Sequence, residues 1–241
     1  MGIITRALFV DVDGTLTINR NTYKLSLEAI SALSKLVSKG IVVSLVSSNA
    51  LPLVVGLLRY IGLNGYAIGE TGCLVFNEKR GLVSLSSRSA KVVYLDLLRE
   101  FGEYVEDSWQ NVFRLYEYAL RLRERYRDNV WVALEEMRNY VNSKYSGFTV
   151  DYSGYAFHVR PFDVDKRKAV LYVLNELGID PSEAAGVGDS YMDAVFLREL
   201  GLSAAVSNAD DNLKRDVSIV LSKPSGLGVA EFVEMILGDR G

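Results

Sequence analysis

Asp11 and Asp13 stand in the string Asp11-Val12-Asp13-Gly14-Thr15, directly after the apolar run Ala7 to Val10. In an extended chain residues i and i+2 face the same way, so the two carboxylates would emerge together from a strand end. Neighbouring carboxylates raise each other's pKa, and ionising both calls for a cation; an all-oxygen ligand set favours magnesium over zinc. A second acidic pair closes the string Gly188-Asp189-Ser190-Tyr191-Met192-Asp193, again after a strand-like run, Ala184 to Val187. Taken alone Asp189 is an ordinary helix cap. Beside Asp11 and Asp13 it reads as a metal ligand.

The elements that must position these residues alternate between β-branched runs and segments of helical period, the pattern of an α/β protein with a parallel sheet covered by helices. Ala7 to Val10 reads as a buried strand, Ser26 to Ser38 as a helix stopped by Gly40, and Ile41 to Val46 as the next strand. Leu51 to Tyr60 reads as a second helix, Gly65 to Ile68 as a strand, and Cys73 to Phe76 with Val83 to Leu85 as a hairpin. After a helix from Lys166 to Leu177, short strands at Ala184 to Val187, Ser203 to Val206 and Ser218 to Leu221 lead to a closing helix, Gly228 to Leu237. A doubly wound, mostly parallel sheet binds ligands at the carboxyl ends of its strands, where both acidic strings fall.

Between the two halves the rhythm changes. Arg88 to Tyr145 reads as almost wholly helical, a candidate inserted domain, followed by a strand pair, Gly147 to Asp151 and Tyr155 to Arg160. Arg121, Arg123, Arg125 and Arg127 would spread around a helix with Glu117 and Glu124 interleaved, a solvated face rather than a nucleic-acid surface. His158 and Arg160 would share one face of an extended segment. They are candidates to touch the nonreacting end of a ligand, against the competing reading of a hydrogen-bonded structural pair.

The chain of 241 residues is 49% hydrophobic and 24% charged, enough for a folded core. Its 27 Lys and Arg against 30 Asp and Glu leave a net charge of -3, which gives no electrostatic reason to bind nucleic acid or an anionic membrane. Cys73 is the single cysteine, so neither an internal disulfide nor a cysteine zinc site is available, and it reads as a small buried hydrophobe. No stretch reaches the roughly 18 apolar residues of a membrane span. A cytoplasmic monomer or homodimer is the expectation.

In order and spacing these motifs resemble those of magnesium-dependent phosphatases of the haloacid dehalogenase superfamily. The family's Asp-x-Asp-Gly-Thr string is similar to Asp11 to Thr15, its Ser or Thr after the second strand to Ser47, its lysine to Lys166, and its Gly-Asp-x-x-x-Asp string to Gly188 to Asp193. The resemblance implies a Rossmann-like core at 1–82 and 161–241 with an α/β cap of the superfamily's larger type inserted at 83–160. It implies that Asp11 is the nucleophile and Asp13 the general acid and base. Magnesium would be held by Asp11, the main-chain carbonyl of Asp13 and Asp189, with Asp193 orienting a metal water. Lys166 and Ser47 would contact the phosphoryl group, with Ser48 and Asn49 beside them. Ser207-Asn208-Ala209 resembles an element that brings Asn208 to the site, and Gly69-Glu70-Thr71-Gly72 resembles a Glu-Asn-Gly turn in which Thr71 stands for Asn.

Within the superfamily the chain looks most similar to archaeal phosphoglycolate phosphatases, so the implied substrate is a small phosphorylated metabolite. A sugar-phosphate or mannosyl-3-phosphoglycerate phosphatase of the same branch is the enzymatic alternative. A receiver-type phospho-acceptor module without turnover is the remote one, since it lacks an inserted cap and a late acidic string.

Overall fold

A computed structural model describes residues 5–238, apart from the side chain of Arg127. The chain opens with β1 (Ala7–Asp11), α1 (Leu27–Ser38), β2 (Val42–Val46), α2 (Leu51–Ile61), β3 (Ala67–Gly69) and a hairpin of β4 (Leu74–Asn77) and β5 (Gly81–Ser84). A second lobe follows, with α3 (Lys91–Glu100), β6 (Val105–Asp107), β7 (Tyr118–Leu122), α4 (Val130–Lys144), β8 (Phe148–Tyr152) and β9 (Phe157–Pro161). The chain then resumes the first pattern with α5 (Lys166–Leu177), β10 (Ala184–Gly188), α6 (Ala194–Leu197), β11 (Leu202–Ala205), α7 (Asp211–Asp216), β12 (Ile219–Val220) and α8 (Ser225–Gly238).

Ala7 through Val10 are buried on both faces, as a central parallel strand requires. Each of Leu8, Phe9 and Val10 contributes on the order of 1.5–3 kcal/mol by leaving water. The main sheet runs β12-β11-β10-β1-β2-β3-β4-β5, parallel from β12 to β3 and antiparallel in its last two strands. Helix α1 starts where the Ser26 side chain accepts the Ala29 N–H at 3.2 Å. Helix α5 begins at Lys166, with Asp165 capping the Lys168 N–H, and ends at Gly178 in the left-handed conformation.

Register delivers the chemistry to one edge. Asp11 is level with Val46, so Ser47 lies one residue beyond it, and Val10 is level with Val187, so Asp189 follows at the same end. Chain order reverses between β1 and β10, and such switch points open the crevice in which doubly wound sheets hold ligands.

The second lobe has its own apolar cluster, including Leu97, Leu120, Met137, Val150 and Phe157, over a four-stranded antiparallel sheet ordered β6-β7-β9-β8. This corrects the helical reading of Arg88 to Tyr145, since β6 and β7 lie between α3 and α4. Strand β7 sits inside the sheet, with Tyr118 opposite Val159 and Ala119 opposite His158, and this pairing overrides local propensity. The arginine run is likewise not one α-helix, since Arg125 and Arg127 fall in a 3₁₀ turn over Glu124–Asn129. Arg121 is on β7 and Arg123 just past it, and their exposed guanidinium groups face Glu106 at 3.8 and 3.6 Å. The hairpin strand β5 belongs to the main sheet, so the expected insert boundary at residue 83 falls inside a core strand. No described helix is long and apolar enough to cross a membrane.

Candidate active site

Carboxylate oxygens of Asp11, Asp189 and Asp193 lie within 4.8 Å of one another, all on buried residues. Burial, the largest cause, and then the neighbouring acids raise the Asp11 and Asp189 carboxyl groups above the ordinary range, while Lys166 opposes this for both. Arg20 approaches Asp189 Oδ2 at 2.6 Å without hydrogen-bonding geometry, and that oxygen has no hydrogen-bond partner. Gly14 holds φ at +83°, and a Cβ there would stand 2.2 Å from Asp189 Oδ2. Bare backbone at Gly14 is therefore what allows the aspartate to come so close. Three carboxylate oxygens converging in a buried cradle, with Asp189 Oδ2 unpartnered, fit a small hard cation.

Lys166 Nζ lies 2.8 Å from Asp11 Oδ1 and 2.6 Å from Asp193 Oδ1, and the ammonium is itself buried. The two aspartates more than offset its loss of hydration, so its pKa rises and it stays charged. The second oxygen of Asp193 accepts the N–H groups of Asp189 and Ser190 at 3.2 and 3.0 Å. Asp193 therefore braces both the lysine and the Asp189–Ser190 turn. Gly188 makes room for it, because a Cβ there would meet Asp193 Oδ2 at 2.6 Å.

Asp13, half-buried, has its carboxyl raised by burial, and Asn49 opposes this by donating to Asp13 Oδ2 at 2.6 Å. Ser47 is buried and accepts the Asn49 N–H at 3.0 Å. Asp11, Asp13, Ser47, Ser48, Asn49, His158, Lys166 and Asp189 line one cavity of about 90 Å³. It shares Asp13, Tyr23, Arg121 and Tyr155 with a groove of about 1460 Å³ between the lobes.

Sequence reasoning missed much of the second lobe's contribution. Gln110 donates to Asn49 Oδ1 at 2.7 Å and accepts the Ala50 N–H at 2.9 Å. Arg114 donates to the Ser48 carbonyl at 2.9 Å and pairs with Glu117 at 3.0 Å. Glu117 also takes the His158 Nδ1 contact and a 2.6 Å hydrogen bond from Thr71. These partners hold its carboxyl below the usual range despite complete burial, Arg114 contributing most among them. Glu70 and Thr71 both adopt positive φ, near +51° and +52°, a conformation that side chains adopt at a cost of about 1–2 kcal/mol each. They are held there because Glu70 accepts the N–H groups of Leu115, Tyr116 and Glu117.

Two expected residues do not join the cavity. Asn208 spends its amide on Ser225, donating to the hydroxyl and accepting the N–H at 3.0 and 2.9 Å, and so fixes the start of α8. Arg160 pairs with Asp151 at 2.7 Å and donates to the carbonyls of Pro161 and Val164, which secures the return to the core. His158 lines the cavity, but Glu117 and Ser153 occupy its two ring nitrogens, the latter at 2.9 Å. Cys73 is fully buried, as a small hydrophobe would be.

Comparison with known proteins places this geometry in a family. Residues 8–118 and 124–233 match the haloacid dehalogenase-like hydrolases. A protein from Staphylothermus marinus named phosphoglycolate phosphatase is 52% identical over 229 residues, covering 94% of this chain and 95% of that protein. A solved structure from Thermoplasma acidophilum is 25% identical with a TM-score of 0.82, over 97% of this chain and 99% of that one. A solved sugar phosphatase of haloacid dehalogenase subclass IIB is 18% identical with a TM-score of 0.75, covering 98% and 100%, and supports the fold alone. Both acidic strings, the buried lysine and the inserted second sheet thus sit in a chain that belongs to the haloacid dehalogenase-like hydrolases.

Proposed function

We propose that the protein is a magnesium-dependent phosphatase that hydrolyses a small phosphate monoester, 2-phosphoglycolate, to glycolate and phosphate in the cytoplasm. The observation that carries this reading is the buried Lys166 bridging Asp11 and Asp193 at the same strand ends as Asp13 and Asp189. A phosphoryl group needs positive charge, an in-line nucleophile and a proton donor, and these residues supply each.

An Asp11 carboxylate oxygen attacks phosphorus as the bond to the ester oxygen breaks. Asp13, whose raised pKa favours the protonated form, gives that oxygen its proton, and glycolate leaves. Asp13, now ionised, takes a proton from water as the water oxygen attacks the aspartyl-phosphate. Phosphate departs and Asp11 is regenerated. Lys166 keeps Asp11 oriented and offsets charge on the phosphoryl oxygens, and Ser47 donates to one of them. Asp11, Asp189 and the Asp13 carbonyl would hold magnesium, which would supply the remaining positive charge against the phosphoryl oxygens.

The name of the Staphylothermus marinus relative supports the substrate, as does the small cavity beside Asp11. The groove of about 1460 Å³ favours a second reading, a sugar phosphate or mannosyl-3-phosphoglycerate. Phosphate release from 2-phosphoglycolate, sugar phosphates, mannosyl-3-phosphoglycerate and an aryl phosphate, with magnesium or chelator, separates the two. Preference for phosphoglycolate is expected. Preference for a sugar phosphate would favour the second reading, and no magnesium-dependent release from any substrate would overturn both.

A further inference from the structure

Arg114 presents an arrangement that the phosphoryl chemistry does not use. Its guanidinium is 2% exposed yet lines the same small cavity as Asp11, Ser47 and Lys166. Nη2 is committed to the Ser48 carbonyl and, at 3.4 Å, to Gln110 Oε1, and Nη1 faces Glu117 as an ion pair. Nε has no hydrogen-bond partner. Buried donors are nearly always paired, because leaving one unmade forfeits its hydration without return.

Of the other cations near the site, Arg121 also lines the cavity, but its side chain is more than half exposed and faces Glu106 at 3.8 Å. Lys166 is spent on Asp11 and Asp193 at the phosphoryl end. Arg20 also has an unpartnered nitrogen, but its Nε and Nη1 lie 2.6 and 2.9 Å from Asp189 and Asp210, and it does not line the small cavity. Among the other polar groups around the cavity, Asn49 and Gln110 are bonded to each other, and His158 to Glu117 and Ser153. A ligand anchored by phosphate at Asp11 thus meets one buried cation with a free donor at the second lobe's face of the cavity.

We propose that Arg114 is the specificity-determining residue that binds a carboxylate on the nonreacting end of the substrate. This rests on the phosphatase reading above and sharpens it, because it selects phosphate monoesters of small hydroxy acids over neutral sugar or alkyl phosphates. Arginine suits the task, since its charge persists when buried and the unpartnered Nε leaves one charge-assisted donor for a carboxylate oxygen. Glu117 fixes the guanidinium through the ion pair at Nη1.

The test compares kcat/KM for 2-phosphoglycolate and for its neutral counterpart, 2-hydroxyethyl phosphate, in the wild type, Arg114→Met and Arg114→Lys. The wild type should prefer the acid at least tenfold. Arg114→Met should lose about ten- to hundredfold on phosphoglycolate, mostly through KM, and lose clearly less on the neutral ester. Arg114→Lys should recover part of the difference, and because it keeps a charge against Glu117 it serves as the test if Arg114→Met fails to fold. Equal proportional losses on the two esters would reduce Arg114 to a structural residue while leaving the phosphoglycolate reading intact. A wild type without preference for the acid would overturn that reading and the inference with it.

Discussion

Asn49 donates a 2.6 Å hydrogen bond to Asp13 Oδ2, and the acceptor oxygen of the same amide is held by Gln110 of the second lobe. The inserted lobe thereby reaches the proposed acid and base through a single intervening side chain. Where Asn49 sits decides where the Asp13 oxygen sits, and where Gln110 sits decides Asn49.

Gln110→Leu removes that support while leaving every proposed reacting group in place. The expected result is a fall in kcat of about tenfold with a smaller change in KM, since misplacing a catalytic group by a fraction of an ångström acts on the chemical step. Steady-state kinetics checks it. A change confined to KM would detach Gln110 from Asp13.

Lys166→Met should do more. It leaves Asp11 and Asp193 buried without their shared cation. Removing one partner of a buried ion pair costs about 3–5 kcal/mol, so a lower melting temperature should accompany a loss of turnover of at least about a thousandfold. Thermal unfolding and phosphate release measured on one preparation check both.

Gly14→Ala tests the cradle. The added Cβ would press on Asp189 Oδ2 and occupy a backbone conformation with φ of +83°. A strained conformation of this kind costs of order 1–3 kcal/mol. The concentration of magnesium giving half-maximal activity should rise at least about tenfold. A magnesium titration of activity checks this, and an unchanged midpoint would remove Asp189 from the metal site.

The second lobe has its own pH signature. Asp96 on α3 accepts from Lys144, Tyr145 and Tyr140 of the α4 region at 2.6, 2.7 and 2.9 Å, and these bonds, Lys144 foremost, hold its carboxyl down at about 2. A depressed carboxyl pKa contributes stability that is fully present above the unfolded value near 3.9 and disappears as pH falls through the folded value. Asp96→Asn should therefore melt about 2–4 °C lower than the wild type at neutral pH. The gap should close between about pH 4 and pH 2. Melting curves across that range check it, and a gap independent of pH would assign the loss to packing.

The half of the candidate site built on the main sheet was legible because it is written in short strings at strand ends. A strand's two-residue period and the parallel sheet's shared carboxyl edge bring Asp11, Ser47 and Asp189 together, and Lys166 follows as the first residue of α5. Arg114, Glu117 and Gln110 carry no such signature. They sit in a short 3₁₀ turn and the loop after it; Gln110 and Arg114 line the cavity and Glu117 pairs with Arg114, in a segment whose backbone at Leu115, Tyr116 and Glu117 is captured by Glu70 in a left-handed conformation. Strand β7 was hidden for a related reason. Its charged end at Arg121, with Arg123 just beyond it, reads as a helix surface until β9 and β6 flank the strand. Asn208 shows the converse error, since its partner Ser225 lies on a distant segment and takes both ends of the amide.

The central claim is that Asp11 itself becomes phosphorylated, and trapping tests it most directly. The protein is mixed with 2-phosphoglycolate and magnesium, quenched in acid within one turnover and reduced with borohydride, which converts an aspartyl-phosphate to homoserine. Peptide mass spectrometry should find homoserine at position 11 and nowhere else, and Asp11→Asn should yield neither homoserine nor phosphate. Homoserine at another aspartate, or continued phosphate release by Asp11→Asn, would contradict the account.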